Sequence, residues 1–165
     1  MANDSKRRHV FISHHHKDDE HVEKLTSLLN KSGYDVRNSS IRAKPKNQER
    51  LAQNRVKDET IRRLLRMKIS WASTTIVLIG KETHERKWVN WEIKQAHGQG
   101  KRIVGVFERG GTANDIPENF EKYGSSLQAW SSKSIVGAID GSDNSFQNPD
   151  GTPRHATHSP TVTTC

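Results

Sequence analysis

Apolar residues gather into short runs separated by amphipathic stretches. Three runs are rich in β-formers: Val10-Phe11-Ile12, Thr74 to Ile79, and Ile103 to Phe107. Continuous runs of this length fit strands buried on both faces, as in a parallel sheet. Tyr34 to Arg37, following Gly33, reads as a weaker edge strand. Between these runs the period changes to helical. Val22, Leu25, Leu28 and Leu29 share one face of a helix over about 19–31, with Asp18 or Asp19 to cap it and Gly33 beyond its end. Ile61, Leu64, Leu65 and Ile69 mark a second helix with Asp58 at its start. Val89, Ile93 and Ala96 mark a third, over about 85–97.

Strands alternating with helices imply βαβ crossovers. The pattern predicts an α/β fold: a doubly wound parallel sheet of four to five strands in the order 2-1-3-4. A fifth strand falls near Leu127 to Trp130 and a closing helix over Ser134 to Ile139. Residues 1–8 read as a basic N-terminal segment, 9–146 as the folded domain and 147–165 as a flexible polar tail.

Composition narrows the partners. The chain has 165 residues, 31% of them hydrophobic, and a formal charge of +8 from 27 basic and 19 acidic residues. Ten basic residues lie between Arg42 and Lys68 against only Glu49, Asp58 and Glu59, so almost all the excess sits in one segment. That segment contains no Phe, Tyr or Trp, which argues against nucleic acid and for a phosphate-bearing ligand or a protein contact. The only cysteine is Cys165, so an internal disulfide and a cysteine zinc site are excluded. The longest clean apolar run, Ile76 to Ile79, is far short of a membrane span, and the stretch after Lys6-Arg7-Arg8 is too short for a signal-peptide core. The expected location is cytoplasmic, with no membrane contact.

In open α/β sheets, ligands bind beyond the carboxyl ends of the strands, where the strand order reverses. That rim is expected to carry Ser13, His14 and His15 after the first strand, Asn38 and Ser39 after the second, and Gly80 after the third. The next helix brings Trp88 and Glu92 to one side, about 40° apart, and sets Glu92 roughly 65–70° from the centre of its buried stripe. Such a carboxylate can point into a cleft beside an aromatic wall, or simply pair with a surface lysine or arginine. His14-His15-His16 lacks a second ligand group at matching spacing, so no metal is expected. The glycine-rich phosphate loop, the dinucleotide fingerprint and the serine-nucleophile elbow are all absent from the sequence.

Three motifs occur in one order: Val10-Phe11-Ile12-Ser13-His14-His15-His16-Lys17-Asp18, then Ile76 to Thr83, then Lys87-Trp88-Val89-Asn90-Trp91-Glu92-Ile93. Together they resemble bacterial TIR-like domains, of the class found in Thoeris anti-phage systems and in stand-alone TIR-like proteins. The resemblance spans about residues 8–140, and W-x-x-x-E at Trp88 and Glu92 is its sharpest part. It implies a flavodoxin-like sheet and cleavage of NAD⁺ at the nicotinamide–ribose bond, with NAD⁺ as substrate and no prosthetic group. The catalytic role falls on Glu92, and the nucleotide pocket on Phe11, Ser13, His14, His15, Asn38, Ser39 and Trp88. It further implies an ADP-ribose-derived product that switches on an effector protein, and it is compatible with a homo-oligomer. Two other readings stay open. One is a non-catalytic interaction module using Trp88, Trp91 and the basic segment, and the other is a basic nucleic-acid binder.

Overall fold

A computed structural model describes residues 8–14, 19–38, 58–81 and 87–154. The strands are β1 (Arg8–Ser13), β2 (Tyr34–Asn38), β3 (Thr74–Ile79), β4 (Arg102–Phe107) and β5 (Ser126–Gln128). The helices are α1 (Asp19–Lys31), α2 (Asp58–Trp71), α3 (Lys87–Gly98), α4 (Glu118–Tyr123) and α5 (Ser132–Asp140). The five strands form one parallel sheet in the order β2-β1-β3-β4-β5, as a doubly wound α/β fold requires.

The register sorts side chains cleanly by parity. Phe11, Val77, Ile79, Ile103, Phe107 and Leu127 face α2, α3 and α4. Val10, Ile12, Ile76, Leu78, Val104 and Val106 face α1 and α5. Both faces are therefore apolar, which is why β3 is buried at every position and shows no alternation.

The helix ends follow local chemistry. Gly33 takes φ +89, and its amide bonds the Asn30 carbonyl, closing α1 with a left-handed residue. After α3, Gly100 takes φ +72, and the Lys101 amide returns to the Ala96 carbonyl. Leu64, expected on the buried stripe of α2, is 37% exposed, because Ile61, Leu65 and Ile69 alone fill the contact with the sheet.

Two features differ from the sequence expectation. The helix α4 arises on a segment with little periodicity. It packs through the fully buried Phe120 against β4, where Gly105 leaves room: a Cβ there would lie 2.7 Å from Phe120 Cζ. The polar stretch after residue 146 also binds back onto the domain as far as Arg154. The Leu127 amide bonds the Ser145 carbonyl (3.1 Å), and the Gln147 amide bonds the Leu127 carbonyl (2.8 Å). Asn148 accepts from Gly151 and donates to the Thr152 carbonyl, and Arg154 pairs with Glu121 of α4 at 3.1 Å. Residues 155–165, the rest of the expected tail, lie outside the described residues, as do 1–7. Among the described residues no helix is long and apolar enough to cross a membrane.

Candidate active site

The parallel sheet brings the carboxyl ends of β1, β3 and β4 to one rim. Ser13 ends β1 and faces the α3 side, as Phe11 does one pleat below it. Helix α3 sinks Val89, Ile93 and Ala96 into the core and carries Glu92 down with them. The Ser13 hydroxyl donates to Glu92 Oε1 at 2.5 Å, and both residues are fully buried. That distance lies at the short end of the range of about 2.5–2.7 Å for hydroxyl-to-carboxylate bonds. Glu92 thus sits deeper than its angular offset on the helix suggests. The Ser13 bond occupies one of the roughly four lone-pair sites of the carboxylate and restrains its rotamer.

The other expected site residues distribute as follows. His14 follows Ser13 and is buried, at 1% exposure, on the opposite parity. Asn38 ends β2 beside Ile12, and its carbonyl accepts from Lys68 of α2 at 3.1 Å. Phe11 lies in the core beneath the rim, in the cluster that holds Val89 and Ile93, and so braces the site from below. Trp88 is half-buried and meets Trp91 edge-on at 5.7 Å. The Arg62 guanidinium of α2 stands 5.2 Å from both indole centroids, and Arg66 stands 5.8 Å from that of Trp91 and pairs with Glu59. Part of the basic segment is therefore spent on packing α2 against α3. His15 and Ser39, and the basic residues from Arg42 to Lys57, lie outside the described residues.

Ser13 is expected from sequence in a nucleotide pocket; its direct bond to Glu92 bridges 79 positions, and no local pattern announces it. Glu108, the residue after β4, is a rim residue not among those expected, although its place just past a strand end is the same signal that marks Ser13 and Gly80. Glu108 is 8% exposed and lies 3.9 Å from His21 of α1. Its carboxyl group rests over Gly80, where a built Cβ would collide with it. Among the described residues the rim therefore holds two buried carboxylates, one on each face of the sheet.

A doubly wound α/β domain with a buried carboxylate fixed by a serine at its switch point is the class these features define. The family model described as Thoeris protein ThsB, TIR-like domain, matches residues 11–112, more than half of the chain. The chain belongs to that family. Among solved structures, a CMP N-glycosidase of Clostridium botulinum, BcmB, is similar at 15% identity and a TM-score of 0.48, covering 81% of this chain and 98% of its own. No curated protein matches the sequence.

Proposed function

We propose that the chain cleaves NAD⁺ at the nicotinamide–ribose bond and that the resulting ADP-ribose-derived product signals to an effector protein in anti-phage defence. The observation that carries this reading is the bond from Ser13 to Glu92 at the carboxyl end of β1. Membership of the Thoeris TIR-like family supports the substrate class.

The chemistry asks little of the protein. Nicotinamide leaves as a neutral group, so no strong acid is needed. The ribose becomes oxocarbenium-like, as in glycoside hydrolysis. Glu92, held by Ser13, orients the sugar hydroxyls and stabilises the positive charge that develops on the ring. In this reading His14 and Asn38, at the ends of β1 and β2, border the nucleotide pocket at the rim, and Trp88 limits water beside Glu92. The nucleophile then decides the product. Water gives ADP-ribose, an internal nucleophile gives a cyclic isomer, and an external amine gives a conjugate, the last two needing a dry site.

The test is incubation of the purified chain with NAD⁺, with and without phage-infected lysate, beside the Glu92→Gln variant, with products resolved by mass. Loss of NAD⁺ in the wild type but not in Glu92→Gln is expected. Folded wild type that leaves NAD⁺ intact under both conditions overturns the reading.

A further inference from the structure

We infer that the chain has a second ligand site, on the opposite face of the sheet from Glu92, that takes a nucleoside monophosphate. The site is a cavity of about 400 Å³ between α1, the ends of β4 and β5, and the loop after residue 146. Its wall includes His21, Lys24, Glu108, Arg109, Trp130 and Pro149, and neither Ser13 nor Glu92.

Parity separates the two carboxylates, although Phe107, on the Ser13 face, also borders the cavity. Ser13 shares the face of Phe11, Val77 and Phe107, whereas Glu108 falls on the face of Ile76, Leu78 and Val106. Glu108 is nearly buried at the base of the cavity, with its carboxyl group over Gly80 and 3.9 Å from His21. Trp130 is half-buried, and its ring stands edge-on to His21 at 6.4 Å. Lys24, whose own side chain is 60% exposed and paired with Glu20, and the exposed Arg109 sit at the mouth.

Each part selects a different chemical group. A carboxylate at the base of a cavity accepts from hydroxyl or N–H donors, such as a ribose diol or an exocyclic amine. An indole wall with a proline beside it suits a flat ring. Two cations at the mouth suit a phosphate and disfavour a cationic ligand. The volume lies in the lower part of the range of about 300–1,000 Å³ usual for small-molecule pockets, which favours one nucleotide over an extended dinucleotide. Asp150 also borders the mouth, and its carboxylate accepts from the Thr152 amide (2.9 Å) and hydroxyl (2.6 Å). That fixed negative charge steers the phosphate toward the Lys24 and Arg109 side.

The inference does not depend on Glu92 cleaving anything, and its test reads binding alone. The full chain is titrated with AMP, adenosine and inorganic phosphate while the four tryptophan indole N–H signals are followed by NMR, with that of Trp130 assigned by Trp130→Phe. AMP is expected to shift the Trp130 signal saturably, and adenosine to do so at least about tenfold more weakly. Arg109→Glu should weaken AMP by a similar factor, Glu108→Gln should weaken both AMP and adenosine, and Glu92→Gln should change neither. Arg109→Glu alters an exposed side chain, so it keeps the test valid if Glu108→Gln does not fold. The inference is overturned if AMP leaves the Trp130 signal unmoved, if adenosine binds as tightly as AMP, or if AMP shifts only the Trp88 and Trp91 signals and Glu92→Gln abolishes that.

Discussion

Ser13 and Glu92 lie 79 positions apart and share one proton-mediated contact of 2.5 Å in the interior of the domain. Ser13→Ala removes the donor while keeping the backbone of β1. The loss of this buried hydrogen bond should cost about 1–3 kcal/mol of stability, read from urea unfolding. If Glu92 is the catalytic carboxylate, misplacing it should also lower kcat for NAD⁺ by roughly 10²-fold with a smaller change in KM. A variant that loses stability but keeps kcat would reduce Ser13 to a structural role.

A Cβ on Gly80 would collide with the Glu108 carboxyl group. Gly80→Ala should therefore destabilise the domain by about 1–3 kcal/mol, the usual cost of overpacking. Removing the obstacle should relieve it: adding Glu108→Ala to Gly80→Ala should cost less than the two single changes summed. A double-mutant cycle by chemical denaturation gives the coupling, and additive costs would mean that the two positions do not meet.

Arg62 stands over both Trp88 and Trp91 and joins α2 to α3. Arg62→Ala should lower stability by about 0.5–2 kcal/mol through lost cation–π contact and lost cover of the rings. Arg62→Lys should recover only part, since an ammonium lacks the flat face that a guanidinium presents to a ring. The denaturation midpoint should move in both variants while the slope stays constant.

The Ser145 hydroxyl and amide both donate to Asp143, and these bonds hold its carboxyl below the ordinary carboxylate value. A depressed folded-state value means that the unfolded chain binds the proton more tightly. The stabilisation from this group is then fully present above its unfolded value of about 3.9 and is lost as pH falls through the lower folded value. Thermal melts of wild type and Asp143→Asn should differ most near neutral pH, and the gap should close in acid. An Asp143 titration by NMR that sits at the unfolded value would refute the assignment.

Much of the architecture is legible from periodicity because the sheet is buried on both sides. Val10 to Ile12, Thr74 to Ile79 and Ile103 to Phe107 have no solvent face to blur the signal, whereas the short β5, Ser126–Gln128, only overlaps its expected stretch of Leu127 to Trp130. Helix α4 escapes because Phe120 is the one buried side chain among its six residues, and its partner surface is an absence of side chain at Gly105. The depth of Glu92 escapes because helical geometry gives an angle, whereas burial depends on how closely α3 approaches β1. The second cavity draws its wall from α1, the ends of β4 and β5 and a polar loop, so no local pattern announces it. The loop itself looks unable to fold, having little to bury, yet it is held by backbone and Asx-type hydrogen bonds rather than by apolar contact.

The return of residues 145–147 alongside β5 has a bearing on how molecules of this chain can meet. A terminal strand of a sheet offers a ladder of unpaired donors and acceptors onto which a neighbouring molecule can add a strand. At β5 the chain's own Ser145 carbonyl and Gln147 amide already fill the Leu127 rungs, with Phe146 bridged to Leu127. Intermolecular growth from that side would first have to peel the segment away, which leaves the β2 border as the one where strand addition meets less resistance among the described residues.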